Sequence, residues 1–145
     1  INVGAQPAGI AITYDGKYAL VANYGGNSVS VINTTTNQVV YTIPIPEPFP
    51  NVAQPTNIAI LPNNKYAYVA DSGTSSVSVI SLQNYTIVQS IKVNANPQDL
   101  AISSNGGYLY VGDKGFSQIT IINTTTNHVI LNLTGIGSPL AMATS

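Results

Sequence analysis

The sequence predicts an all-β fold built from repeated copies of one four-stranded unit. Three observations carry that prediction. Two apolar runs joined at a Gly-bearing turn, Lys17-Tyr18-Ala19-Leu20-Val21-Ala22-Asn23 and then Ser28-Val29-Ser30-Val31-Ile32-Asn33, return at 65–81 and again at 107–123. Pro7, Pro55, Pro97 and Pro139 open successive repeats, spaced by 48, 42 and 42 residues. No segment holds apolar residues at helical spacing for two turns, and β-branched residues dominate the apolar runs.

The elements follow in order. Ile1-Asn2-Val3 matches Ile91-Lys92-Val93 and reads as the end of a fourth strand. After each proline comes a first strand around 10–12, 58–60 and 100–102, with a small Ala at its centre. Asp15-Gly16, Asn63-Asn64 and Asn105-Gly106 follow, and these residues accept the positive φ of tight hairpins. The second strand covers 18–22 and its equivalents. The third, at 29–32, alternates Val with Ser at the period of a strand. Residues 34–37, Thr-Thr-Thr-Asn, form the next turn and recur at 124–127. Fourth strands are expected at 39–43, 87–91 and 129–133. The first repeat is longer by six residues, which fall in Pro44-Ile45-Pro46-Glu47-Pro48-Phe49-Pro50. Four prolines forbid ladder pairing there, so that stretch is expected to be an extended loop. Residues 140–143 read as one more first strand.

Four antiparallel strands per ~42 residues match a blade of a β-propeller. A β-sandwich is the alternative, and the repeated Pro, Ala, Gly and Asn positions argue against it. The blades are expected at 7–54, 55–96 and 97–138, with partial strands at 1–3 and 139–145. Propellers close with about four to eight blades. Three complete blades are therefore read as part of a larger ring, for instance a seven-bladed one.

At these residues the chain resembles the YVTN family of β-propeller repeats, common in archaeal surface-layer and surface-antigen proteins. The resemblance rests on Tyr-Val-Ala-Asp, Ser-Val-Ser-Val-Ile, Thr-Thr-Thr-Asn-x-Val-Val and Pro-x-x-Ile-Ala-Ile, and it covers nearly the whole chain. The Tyr-Val-Thr-Asn motif falls on 20–23, 68–71 and 110–113. This chain departs from it with Ala or Gly third, and with Asp fourth in two repeats. Asn33 and Asn123 stand where the family usually carries Asp, and Gln38 and His128 stand where it often carries Lys. The resemblance implies an extracellular structural or adhesive protein of a surface layer, appendage or adhesin. Its implied partners are other blades or subunits of the same assembly, and cell-surface glycans or proteins.

Composition narrows the functions. Charged residues make up 6% of the 145, against about 25% in ordinary soluble domains. There are four Lys and no Arg, a poor surface for nucleic acid, where phosphate neutralisation dominates affinity. The absence of Cys excludes disulfides, thiol chemistry and Cys-ligated metal. No apolar run reaches the ~18 residues of a membrane helix. Beginning at Ile1, the sequence reads as a processed mature chain or an internal segment.

No catalytic constellation is visible, and no cofactor is expected. His128 is a lone imidazole beside a turn, and no Ser is marked as a nucleophile. Gly25-Gly26, Gly73 and Gly115 lie between strands rather than before helices, so they read as turns, not phosphate loops. In an up-and-down blade alternate connections lie at opposite ends. Glu47, Asp71, Asp99 and Asp113 then share the end of the Pro loops, while Lys17 and Lys65 share the end of the Thr-rich turns. Asp71, Asp99 and Asp113 are candidate cation ligands; the alternative is that Asp71 and Asp113 cap turns. Four Asn-x-Ser/Thr sequons mark Asn33, Asn84, Asn123 and Asn132 as candidate N-glycosylation sites. The alternative function is a propeller enzyme of lactonase or quinoprotein-like dehydrogenase type, its active site completed by other blades.

Overall fold

The computed structural model describes residues 1–47, 50–94 and 96–135. Among them there are twelve strands and no helix. Blade 1 is β1 (Pro7–Ile12), β2 (Tyr18–Asn23), β3 (Ser28–Asn33) and β4 (Gln38–Pro44). Blade 2 is β5 (Pro55–Ile60), β6 (Tyr66–Asp71), β7 (Ser76–Ser81) and β8 (Thr86–Lys92). Blade 3 is β9 (Pro97–Ile102), β10 (Tyr108–Asp113), β11 (Gln118–Asn123) and β12 (His128–Leu133). Each blade is an antiparallel sheet whose strand order follows the sequence. The all-β propeller expectation therefore holds. Ile1–Val3, expected as the end of a fourth strand, pairs with no strand among the described residues. The further first strand expected at 140–143 lies outside them.

The repeat extends to irregularities. Each first strand carries one unpaired residue just after its proline: Ala8, Thr56 and Gln98. Each fourth strand bulges at the same place, leaving Val40, Val88 and Ile130 out of the ladder. Four left-handed positions recur in every blade. Gly16, Asn64 and Gly106 take the first hairpin, as their residue types predict. Asn27, Ser75 and Ser117 take the second turn, and Asn37, Tyr85 and Asn127 the third. Gln6, Gln54 and Asn96 take the residue before each proline, where the α region is disfavoured.

Blades stack face to face, and the period-2 alternation of side chains decides which neighbour each residue meets. In blade 2, Ala67, Val69 and Ile80 join Leu20, Val29, Val31 and Ile58 in one core. Tyr68, Ala70, Val77 and Val79 point the other way and join Leu100, Leu109, Val111 and Ile122 in a second. Blade 2 is thus buried on both faces, which explains why its middle strands are apolar almost throughout. Each fully buried Leu, Val or Ile contributes about 1.5–3 kcal/mol to these interfaces. The first strands of adjacent blades touch one another, β1 against β5 and β5 against β9. They are the inner strands, and they place one end of each blade at the axis.

Candidate functional site

The inner strands carry the first candidate site. The second residue after each proline is Gly9, Asn57 or Asp99, and the blades bring these into a row. Asn57 Nδ2 donates a hydrogen bond to Asp99 Oδ1. The same oxygen accepts the Leu100 backbone N–H at 3.0 Å, and Asn57 Oδ1 accepts the Ile58 N–H at 2.7 Å. Gly9 completes the row by having no side chain. A Cβ there would sit 2.6 Å from the Thr56 carbonyl oxygen and 2.7 Å from Asn57 Cα. Thr56 ties the same region together, its hydroxyl donating to Ala70 O at 3.2 Å and Pro97 O at 3.3 Å. Asp99 is nearly buried, and it is the one ionisable side chain on the three inner strands.

The other two acids of the candidate cation set lie elsewhere on the blades. Asp71 and Asp113 end the second strands, opposite Pro55 and Pro97. Both are fully buried. Ser78 Oγ donates to Asp71 Oδ2 at 2.6 Å. Asp113 Oδ2 accepts the Thr120 hydroxyl and, at 3.4 Å, Gln118 Nε2. These carboxyls are turned in toward the third strand rather than out over the turn. Among the described residues no group of three or more acidic or His side chains is placed to share a metal ion. Burial pushes the Asp71 carboxyl up to about 7, opposed by the Ser78 hydroxyl bond and reinforced by Glu47. Burial raises Asp113 as well, against the bonds from Thr120 and Gln118.

The sequon asparagines lie at the opposite end or on the outer edge. Asn33 Oδ1 accepts the N–H groups of Thr35 and Thr36 at 2.9 and 3.1 Å. Asn123 does the same with Thr125 and Thr126, at 2.9 and 3.2 Å. In both, Oδ1 holds the turn and Nδ2 makes no hydrogen bond to a described residue. Asn84 lies in the corresponding turn of blade 2 but three residues further on, exposed, its Oδ1 bonded by the Thr86 hydroxyl at 2.7 Å. Asn132 stands on the exposed outer strand β12, accepting from Thr120 Oγ1 at 2.8 Å and Asn94 Nδ2 at 3.3 Å. His128 is exposed at the start of that strand. Near Asn123 a groove of about 390 Å³ runs between blades 2 and 3, lined by Leu61, Pro62, Tyr66, Asn105 and Thr125.

Residues 32–140, more than half of the chain, match the model of the lactonase, 7-bladed β-propeller family. The chain belongs to that family. Three blades among its described residues compare with seven in the lactonase-family description. The chain is also similar to hydrazine synthase of Kuenenia stuttgartiensis, with a TM-score of 0.86 and 25% identity over 97% of its length. U3-55K and the RRP9 WD40 repeats superpose with a TM-score of 0.85 each at 15% identity, a likeness of fold alone. This lactonase-family chain spans 40%, 44% and 43% of those three chains. No curated protein matches its sequence.

Proposed function

We propose that this chain is a structural or adhesive segment of an extracellular surface assembly, built from YVTN-like repeats of the archaeal surface-protein type. One observation carries the reading. The three inner strands, where a propeller gathers its chemistry, hold a single ionisable side chain, Asp99, already bonded to Asn57. Acid–base catalysis calls for positioned, tuned groups, commonly in pairs, and these strands do not supply a pair. The charge-poor composition and the sequons at 33, 84 and 123, grouped on the Thr-turn end, fit a glycan-bearing surface. The partners of such a segment are other blades or subunits of the same assembly and the glycans or proteins of a cell surface.

The family match supports a second reading, a lactone hydrolase whose site is completed by other blades. In that reading Asp99 takes a proton from water as the water oxygen bonds to the lactone carbonyl carbon. The ring C–O bond then breaks, its oxygen leaves with the proton that Asp99 took, and the product is a hydroxy acid. Assaying the full-length native protein against a panel of lactones, beside its Asp99→Asn variant, separates the two. The structural reading expects no hydrolysis above the variant's rate. Turnover lost in the variant would overturn it in favour of the hydrolase.

A further inference from the structure

Asn23, Asp71 and Asp113 occupy one repeated place, the last residue of the second strand in successive blades. All three are 0% exposed. Each faces a polar pair on the third strand: Ser28 and Ser30, Ser76 and Ser78, or Gln118 and Thr120. Asn23 Nδ2 donates to Ser28 Oγ at 3.1 Å and to Ser30 Oγ at 2.9 Å. Asp71 meets Ser78 Oγ at 2.6 Å through Oδ2, and Asp113 meets Thr120 in the same way. In each of the three Oδ1, the amide oxygen of Asn23 and the second carboxyl oxygen of the two aspartates, is buried with no hydrogen-bond partner among the described residues.

A group that cannot ionise therefore fills one of three equivalent sites. A carboxylic acid shares the planar shape of that amide, and with its proton on Oδ2 the same contact runs the other way, the acid O–H donating to the hydroxyl oxygen as Asn23 Nδ2 does. A carboxylate has no such match. It would bury a charge and leave one oxygen bare, which is costly unless a cation compensates.

The surroundings offer none. Across β7 from Asp71, Lys92 sits opposite Ser76, and its Nζ is bonded to the Thr74 carbonyl at 2.6 Å. Glu47, in the loop after β4, adds negative charge near Asp71. On the β5 side Asp71 faces Pro55, which carries no charge. Asp113 has Pro97 opposite on β9, with Asp99 opposite the adjacent Gly112, so the nearest ionisable group on that strand is another acid. Gln118 and Thr120 on β11 are neutral, as is Asn132 beyond them on β12. Lys114 follows Asp113 in sequence but makes no ion pair with it.

We infer that Asp71 and Asp113 are held as neutral carboxylic acids, and that together they make the folded blades an acid-stabilised assembly that weakens as pH rises toward and through neutrality. Burial raises both carboxyls in the folded chain, Asp71 from 3.8 to about 7. Below 3.8 both states are protonated and the stabilising contribution is complete. Between 3.8 and about 7 the folded chain binds more protons than the unfolded one, so stability falls as pH rises. Each group that differs in this way shifts the folding equilibrium by up to about tenfold per pH unit inside its window.

The test is urea unfolding of the full-length protein at pH 4, 5.5, 7 and 8.5, as roughly spaced points across that window. Wild type should lose midpoint steadily with pH. The Asp71→Asn/Asp113→Asn variant, which copies Asn23, should hold its midpoint nearly flat and exceed wild type at the highest pH. Asn23→Asp should steepen the wild-type dependence. A flat wild-type profile, or a double variant as steep as wild type, overturns the inference. Should the double variant fail to fold, infrared difference spectra of wild type decide. A protonated-carboxyl band at neutral pH that moves on isotopic labelling of Asp supports neutral acids, and its absence overturns them.

Discussion

Tyr85 stacks on Tyr41 across the first two blades, with ring centroids 4.4 Å apart and planes at 26°. Tyr18 closes the group edge-on to Tyr85 at 6.0 Å. Tyr85 holds φ at 55°, a left-handed conformation that Asn37 and Asn127 take at the same place in the other blades. Asn tolerates it, whereas a bulky residue there carries strain of about 1–3 kcal/mol. Aromatic pairing contributes about 0.5–1.5 kcal/mol per pair beyond burial and offsets it. Between blades 2 and 3 the same position works differently. Asn127 Oδ1 accepts the Tyr68 phenol at 2.8 Å, and its Nδ2 donates to Gln89 at 3.3 Å.

The aromatic group makes a graded prediction. Tyr85→Asn gives up the stacking but relieves the backbone, so its unfolding free energy should lie within about 1 kcal/mol of wild type. Tyr85→Ala gives up the rings without the backbone relief that Asn brings at positive φ, and should cost about 2–3 kcal/mol. Urea unfolding of the two variants side by side checks the order.

Tyr68 tests the other interface. Its ring is wholly buried, while its hydroxyl reaches Asn127. Tyr68→Phe keeps the ring and leaves Asn127 Oδ1 without that donor, a loss of about 1 kcal/mol. Pairing it with Asn127→Ala in a double-mutant cycle should give a coupling of about 0.5–1.5 kcal/mol. A coupling of zero would mean that the contact stabilises nothing.

Gly9 and Gly16 should respond differently to alanine. At Gly9 the new methyl meets the Thr56 carbonyl at 2.6 Å and forces β1 away from β5. Gly9→Ala should therefore cost about 1–3 kcal/mol through overpacking. Gly16 has open space around it, and only its φ of 71° resists. Gly16→Ala should cost about 1 kcal/mol, measured by the same unfolding curves.

Calcium should leave the melting temperature unchanged. Asp71 and Asp113 spend their oxygens inward, and Asp99 is engaged by Asn57 and its own strand. Differential scanning fluorimetry with and without millimolar calcium checks this through binding linkage. An upward shift abolished by Asp99→Asn would place a cation at the inner strands instead.

Glycopeptide mapping of the native protein should find sugar on Asn33, Asn84 and Asn123, and on Asn132 at the outer edge. Asn33 and Asn123 hold their turns through Oδ1, so substitution at Nδ2 leaves those bonds in place. Unmodified asparagine at all four positions would remove the glycan argument for an extracellular location.

The blades were legible because their punctuation is local. Pro7, Pro55 and Pro97 fix strand starts, and Gly16, Asn64 and Gly106 fix the first hairpins, each through backbone constraints written in one or two residues. The Asn57–Asp99 contact was not legible, because 42 residues separate the pair and inner strands of different blades must first be brought together. The usable signal was their common offset from Pro55 and Pro97. Asp71 and Asp113 sit next to Gly-bearing turns, and that context suggests exposed caps. What buries them is the register that sets Asp71 against Ser76 and Asp113 against Gln118, together with stacking on the preceding blade, the side to which Val69 and Val111 of the same strands point. Tyr85 carries no turn signature of its own, and only its alignment with Asn37 and Asn127 reveals the left-handed position.

The bulges at Val40, Val88 and Ile130 bear on how the outer strands meet a foreign strand. Among the described residues every blade ends in an outer strand with one unpaired side, and β4, β8 and β12 are rich in β-branched residues with one Lys, Lys92, and no acidic residue. Strands of that composition invite a stranger's strand to zip along them. The displaced residue breaks the run of evenly spaced N–H and C=O groups midway, so an incoming strand finds no continuous ladder to follow. With so few charges for repulsion, the rim resists fibre growth by its outline.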